Sequence, residues 1–254
     1  MTTIASAQDA LTHWQQALAI ATGGKIFTTH GCSWAWQPAR KRLVLLFPDE
    51  AEPAGLRPAL AEGHRLGAQR VEAWVNSGAQ VKHLTEAGFS DNAQVSWHAG
   101  ILAVPMESWA GKVRLGNNVP EAKGADKIEL NVTNLWRDHT TSLSSGHPAL
   151  RRVEHAVART EEGQVVGRGF VQQAMHGQLM VHALAVSPSV RRQGVGTALL
   201  QGLSRSMLNP LVAMDDQDPV EMLAAATPKN AEFFTANGMK LLGRGRHMVL
   251  RNWS

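Results

Sequence analysis

An α/β (α+β) protein is what the chain predicts, and three observations carry that reading. Short apolar runs with strand character alternate with stretches of helical period. Several of the helical stretches stop at glycine, as before Gly23, Gly88 and Gly238. The same order of elements also comes round twice within 254 residues. A hydrophobic fraction of 44% with 18% charged residues excludes a disordered polymer, a collagen-like chain or a coiled coil. The length suits one large domain or two small ones.

Taken in order, the chain opens with an amphipathic helix over Ala7–Ala21, ended by Gly23-Gly24. Strands are expected at Lys25–Thr29, Ser33–Gln37 and Leu43–Phe47, the last a continuous apolar run of the buried kind. A polar loop from Pro48 to Gly55 leads into a helix near Leu56–Leu66, then a strand over Arg70–Val75. A helix over Gly78–Ala87 ends at Gly88, and strand follows from Phe89 to Val104. Pro105 to Lys127 show no sustained period and are rich in Gly, Pro and Asn, which marks a connector. A helix is expected near Val132–Ser144. Val153–Thr160 and Val165–Gln172 flank Glu161-Glu162-Gly163 as a hairpin. Leu179–Val186 is a strand, Val195–Leu208 a helix with Val195, Leu199, Leu203 and Met207 on one face, and Val220–Ala226 a strand. Thr227 then serves as N-cap with Pro228 at the first helical position, and the helix stops at Gly238. Two short strands, Lys240–Gly243 and Arg246–Arg251, finish the chain.

This order divides the chain into a first domain, 1–105, a connector, 106–127, and a second domain, 128–254. Leu84-Thr85-Glu86-Ala87-Gly88-Phe89 and Phe234-Thr235-Ala236-Asn237-Gly238-Met239 close matching helices, which reads as a distant internal duplication. Two unrelated α/β segments would give the same order. Charge is uneven: residues 1–105 carry 8 basic and 8 acidic side chains, so the net +4 of the chain lies in the remainder. A small surplus there suits a small anionic ligand better than a nucleic acid, because the longest basic run is Arg40-Lys41-Arg42.

The stretch that carries chemistry runs from His182 to Thr197. A buried strand ends near Val186, and a loop with Arg191, Arg192 and Gln193 leads through Gly194, Val195 and Gly196 into a helix. The two glycines let backbone approach a ligand without Cβ interference. Unbonded N–H groups at the helix start converge on one spot, where the helix dipole favours negative charge. The paired arginines add donors suited to phosphate. The pattern is therefore a phosphate or pyrophosphate cradle. It is not a Walker loop, which needs Gly-Lys-Ser/Thr. Nor is it a dinucleotide fingerprint, because seven residues separate Val186 from Gly194 and position 199 is Leu.

At Arg191-Arg192-Gln193-Gly194-Val195-Gly196 the sequence resembles the GCN5-related N-acetyltransferase (GNAT) family, whose hallmark is Arg/Gln-x-x-Gly-x-Gly/Ala between a strand and a helix. His182-Ala183-Leu184-Ala185-Val186 is similar to the serotonin N-acetyltransferase branch. The resemblance covers about Val153 to Arg251. It implies acetyl-CoA or another acyl-CoA as donor, with Leu184, Ala185 and Val186 along the thioester and pantetheine arm. The amides from Arg192 to Thr197 would hold the pyrophosphate, and Asn230 and Phe234 would touch the cofactor. It further implies two GNAT-like domains, each a mixed, mostly antiparallel twisted sheet flanked by helices. The first reads as a degenerate copy. Its matching loop, Pro48-Asp49-Glu50-Ala51-Glu52-Pro53-Ala54-Gly55, has three carboxylates and no basic residue and would repel a pyrophosphate.

Acyl transfer to an amine needs a proton acceptor. On a regular strand residues 180, 182, 184 and 186 share a face, so His182 is expected to project with Leu184 toward the thioester. An imidazole of ordinary pKa accepts a proton near neutrality, and the resemblance assigns a histidine here as base. The family's proton donor, a tyrosine four residues before the helix-ending glycine, is replaced by Phe234, and the chain contains no tyrosine at all. A non-catalytic acyl-CoA-binding module therefore stands as the alternative to an N-acetyltransferase. A buried hydrogen-bonded histidine stands as the alternative role for His182.

No cysteine pair, His-Glu-x-x-His or Gly-x-Ser-x-Gly occurs, so no metal or serine-nucleophile chemistry is expected. The lone Cys32 reads as a small buried hydrophobe in a reducing compartment. Eight tryptophans, scattered from Trp14 to Trp253, read as packing anchors. No apolar run is long enough for a membrane span, and the first residues do not resemble a secretory signal. The expectation is a cytoplasmic enzyme, monomeric or homodimeric, acting on a small-molecule or peptide amine, with no nucleic-acid or membrane partner.

Overall fold

A computed structural model describes residues 2–102, 109, 111–115, 152–174, 177–205, 220–251 and 253. The helix expected near Val132–Ser144 lies outside the described residues. The first helix, α1, spans Ile4–Ala21 and starts earlier than its apolar period suggests, because the Thr3 side chain accepts from Ser6 N as its N-cap. The strands β1 (Lys25–Thr29), β2 (Cys32–Gln37) and β3 (Arg42–Leu46) follow, then α2 (Pro53–Arg65), β4 (Arg70–Asn76), a short α3 (Lys82–Glu86) and β5 (Phe89–Ile101). A short β6 (Lys112–Leu115) falls within the stretch expected as connector. Beyond it come β7 (Val153–Arg159), β8 (Val165–Gln173), β9 (Leu179–Val186), α4 (Val195–Arg205), β10 (Glu221–Ala226), α5 (Pro228–Ala236) and β11 (Lys240–Leu250).

The fold is mixed α/β: a mostly antiparallel sheet with helices on both faces. The repeat seen in sequence is present as a repeat of elements. The series β1-β2-β3-α2-β4-α3-β5 is matched by β7-β8-β9-α4-β10-α5-β11. Among the described residues, the parallel neighbours in each series are the strands on either side of the first of these helices, β3 with β4 and β9 with β10.

The eleven strands among the described residues form one sheet in the order β1-β2-β3-β4-β11-β5-β10-β9-β8-β7-β6. The last strand of each series therefore lies next to a strand of the other. β11 pairs with β4 from Gly245↔Asn76 to Val249↔Glu72, and β5 pairs with β10 from Glu221↔Ile101 to Ala226↔Ser96. β5 and β11 then pair with each other along most of their length. Two short final strands were expected; a single β11 runs through, with register shifts at Leu241/Gly243 and His247/Met248.

Three cores hold the layers. α1 covers one face, where Leu11, Trp14 and Leu18 meet Trp97, Phe170 and Met180. On the other face α2 and α3 bury Leu56 and Leu84 against Trp34, Leu43, Leu45 and Phe89, together with Met248 and Leu250 of β11. α4 and α5 bury Leu199, Leu203 and Phe234 against Val171, Val181 and Met222. Fully burying a side chain of this size is worth about 1.5–3 kcal/mol, so these clusters set where α1, α4 and α5 sit.

Candidate functional site

The site begins where two parallel strands part. β9 and β10 pair only at Leu179, Met180 and Val181, opposite Met222, Leu223 and Ala224. β9 continues for five residues more, to Val186, held only by β8 on its other side. From His182 onward the edge of β9 that faces β10 is thus open between two strands of the same sheet. Backbone groups on such an edge need partners, and they are placed to accept one from outside.

A bulge sits at the same point. Phe170 pairs with His182 and Arg168 with Ala185, so Ala183 and Leu184 together oppose Gly169. Ala183 takes φ 47°, an uncommon value for a residue with a Cβ. The bulge corrects the expected facing. Met180 lies in the core under α1, and His182 on the same side stacks on Trp14, whereas Leu184 and Val186 turn to the α4 side. His182 and Leu184 do not share a face, because the extra residue shifts the alternation by one.

Behind the open edge lies the turn into α4. Ser187 N donates to Val166 O, and Pro188–Val190 form a single 3-10 turn. Arg191 Nε donates to Val186 O at 3.2 Å, which ties this guanidinium back to the end of β9. Arg192 is exposed and left-handed at φ 66°, and Gly194 has φ 84°. Ala198 N is the first amide in α4 bonded within the helix, to Gly194 O, so the amides of Val195, Gly196 and Thr197 are the unbonded donors of the first turn. A Cβ on Gly196 would stand 2.9 Å from the Phe233 ring. The cradle therefore has a glycine floor, a dipole and an exposed cation. These residues fit a pyrophosphate.

α5 supplies the opposite wall. Phe233 faces the start of α4, while Phe234 is buried in the core, 5.1 Å edge-on from Phe233 and 5.9 Å from His98 of β5. Phe233 was not singled out in sequence, because two adjacent phenylalanines do not reveal which one meets the turn. Asn230 is exposed in the first turn of α5, and Gln193 is exposed ahead of α4. His98 donates to or accepts from Ser96 Oγ at 3.0 Å through Nε2. Burial holds its pKa below the usual histidine value.

His182 sits at the vertex of the parting strands, one residue past the last β9–β10 pair. It is 6% exposed, and its Nε2 has no hydrogen-bond partner. Burial pushes its pKa down to about 3. The ring is therefore neutral at ordinary pH. Among the described residues no group of three His, Cys, Asp or Glu is placed to hold a metal ion. No helix among them is long and apolar enough to cross a membrane.

Residues 151–240 match the family model described as an acetyltransferase (GNAT) domain. A GCN5-related N-acetyltransferase from Kribbella flavida is similar over 99% of this chain and 97% of its own, at 16% identity and a TM-score of 0.61. A functionally unknown conserved protein from Staphylococcus epidermidis is similar over 91% of this chain and 95% of its own, at 10% identity and a TM-score of 0.58. At such identities the likeness is one of fold, and it extends over both series of elements. No curated protein matches the chain.

Proposed function

We propose that the chain transfers an acetyl or related acyl group from acetyl-CoA to a primary amine, with both substrates bound together and no covalent acyl-enzyme. The observation that carries this is the parting of β9 from β10 at Val181, with the unbonded amides of α4 directly behind it. Acetyl-CoA supplies the acyl group as a thioester, already activated toward amines. The amides of Val195, Gly196 and Thr197 and the Arg192 guanidinium hold the pyrophosphate. The open edge of β9 from Leu184 to Val186 pairs with the amide-bearing arm, as a third strand would.

His182 Nε2 takes the proton of the attacking amine. A base with a pKa near 3 is weak toward a resting ammonium, by roughly 5 kcal/mol relative to an ordinary imidazole. An amine that has given its lone pair to the acyl carbon is far more acidic, so a neutral, dry acceptor is competent at that moment. Protonation of the departing thiolate falls to solvent, because Phe234 has no proton to give and thiols of pKa ~8.5 leave readily. No metal is needed for any step assigned to these side chains.

The first series is proposed to bind no nucleotide. β3 pairs with β4 through Leu46↔Trp74, and Phe47 N then donates to Trp74 O at 2.8 Å, so the strands stay closed. Ala51 of the following loop is buried, Gly55 O accepts from Thr29 Oγ1 at 2.6 Å, and the loop fills its own turn.

Thiol release from acetyl-CoA over a panel of primary amines tests the reading. Amine-dependent release is expected. A coenzyme A-induced rise in melting temperature with no acetylated amine would instead establish the acyl-CoA-binding module, which the buried Phe234 in place of a proton donor favours.

A further inference from the structure

We propose that Trp14 is a positioning residue for His182, so that α1, from the far end of the chain, completes the amine side of the transfer site. The proposal rests on the reading of His182 as the group that meets the amine. The two rings lie 4.2 Å apart between centroids with 4° between their planes. Both are buried, Trp14 at 3% exposure and His182 at 6%.

A buried histidine is ordinarily oriented by hydrogen bonds to its ring nitrogens. His182 Nε2 has none, and the ring lies face to face on the indole. The indole confines the imidazole to one tilt, with its ring nitrogens pointing edge-on. Phe170, the cross-strand partner of His182, stands 6.0 Å from Trp14 and backs the stack. His155 of β7 lies against Phe170 in turn, at 4.4 Å and 19°.

The indole is itself anchored. Gln37 Nε2 donates to Gln15 O and Oε1, each at 2.9 Å, and Arg42 Nη2 donates to Gln15 Oε1 at 2.9 Å. The residue next to Trp14 is thus tied to β2 and β3, while Trp14 itself reaches β8 and β9. A helix needed only to cover the sheet has no reason to lay its largest ring parallel to a histidine at the vertex of the cleft.

The groups facing the imidazole are Trp14 from α1, Phe170 from β8 with Arg168 and Gln172 two residues to either side along that strand, and His155 from β7 beyond Phe170. Burial is the cause of its lowered basicity, and the indole is a principal part of that burial.

The test uses the full chain with its histidine ring carbons labelled with carbon-13, His182 being assigned by the signal lost in His182→Phe. In the native chain that signal is expected not to titrate above about pH 4. In Trp14→Ala it is expected to titrate at least one pH unit higher, and the acid limb of kcat is expected to move with it. kcat should fall about tenfold or more for whichever amine of the panel releases thiol fastest, with KM for acetyl-CoA within about threefold. Trp14→Phe should restore most of both. Where Trp14→Ala loses the folded chain, Trp14→Leu removes the ring face while filling the space and is read the same way. A His182 signal that titrates identically with and without the indole overturns the positioning role. A signal that moves while His182→Phe turns over like the native chain overturns the reading of His182 instead.

Discussion

The turn that leaves β3 and the turn that leaves β9 occupy corresponding places in the two series, and they are built in opposite senses. After β3 the backbone stays paired to β4, the loop carries the exposed carboxylates of Asp49, Glu50 and Glu52, and Ala51 plugs the space beneath. After β9 the pairing to β10 has already stopped, the loop carries two arginines, Gly194 takes a left-handed φ of 84°, and Gly196 admits the Phe233 ring. On the proposed reading, a strand–turn–helix unit admits a phosphate-bearing ligand where pairing ends early and charge is favourable. The first series meets neither condition yet remains a good scaffold.

That scaffold has its own buried charge, which gives the largest expected effect. Glu72 of β4 is 2% exposed and meets Arg42 at 2.9 Å, Arg70 at 2.5 Å and His247 of β11 at 3.2 Å. Burial alone would raise its pKa. The His247 hydrogen bond and the Arg42 and Arg70 charges outweigh that and hold the carboxyl below its usual range. Arg42→Ala is expected to cost about 3 kcal/mol in denaturant unfolding. Coenzyme A affinity of the folded fraction should not change, since the network lies in the series without a cradle.

Next in size is a matched pair of glycine substitutions. A Cβ at Gly55 would stand 2.7 Å from Cys32 Sγ and 3.0 Å from Thr29 O. Gly55→Ala is expected to destabilise by about 1–3 kcal/mol and to leave coenzyme A titrations unchanged. Gly196→Val should do the reverse, weakening coenzyme A about tenfold or more in calorimetry for a smaller loss of melting temperature. Equal effects of both on coenzyme A would dissolve the distinction between the two turns.

The histidine at the vertex adds a pH dependence of about 2 kcal/mol at pH 5. Its folded pKa is depressed to about 3, so the unfolded chain binds the extra proton first as pH falls. Its contribution is fully present above about pH 6.5 and is lost progressively toward pH 3. His182→Phe is expected to flatten that part of the stability–pH curve between pH 7 and 5. The smallest effect is at Arg192, whose φ of 66° costs about 1 kcal/mol. Arg192→Gly is expected to raise stability by about that much, and to lower coenzyme A affinity severalfold with a weaker dependence on salt.

The turn into α4 was legible because its signal is local: two glycines, two arginines and a helix start within one short stretch. The hairpin around Glu161-Glu162-Gly163 was legible for the same reason, and it forms as the β7–β8 pair. The facing of His182 was not, because Ala183 adopts a bulge that nothing in Ala-Leu-Ala announces. The expected helix over Gly78–Ala87 shrinks to Lys82–Glu86, its first residues being spent on a turn in which Ala79 N bonds Asn76 O. Trp14 read as a packing anchor, which it is. Its stack on a residue 168 positions away is a tertiary fact without a sequence signature. The exchange of β5 and β11 was equally invisible, since a strand's apolar pattern names its buried face and not its neighbour.

That exchange bears on how the polypeptide is made. β11, the final strand of the sequence, fills the gap between β4 and β5, and its Met248 and Leu250 belong to the core beneath α2 and α3. A ribosome emitting this chain releases residues for β4 and β5 long before the strand that must part them exists. The first hundred residues must wait, with a sheet edge uncovered, until β11 has been made. Cutting the gene at the connector would therefore yield two fragments that each lack a central strand and find it only in one another.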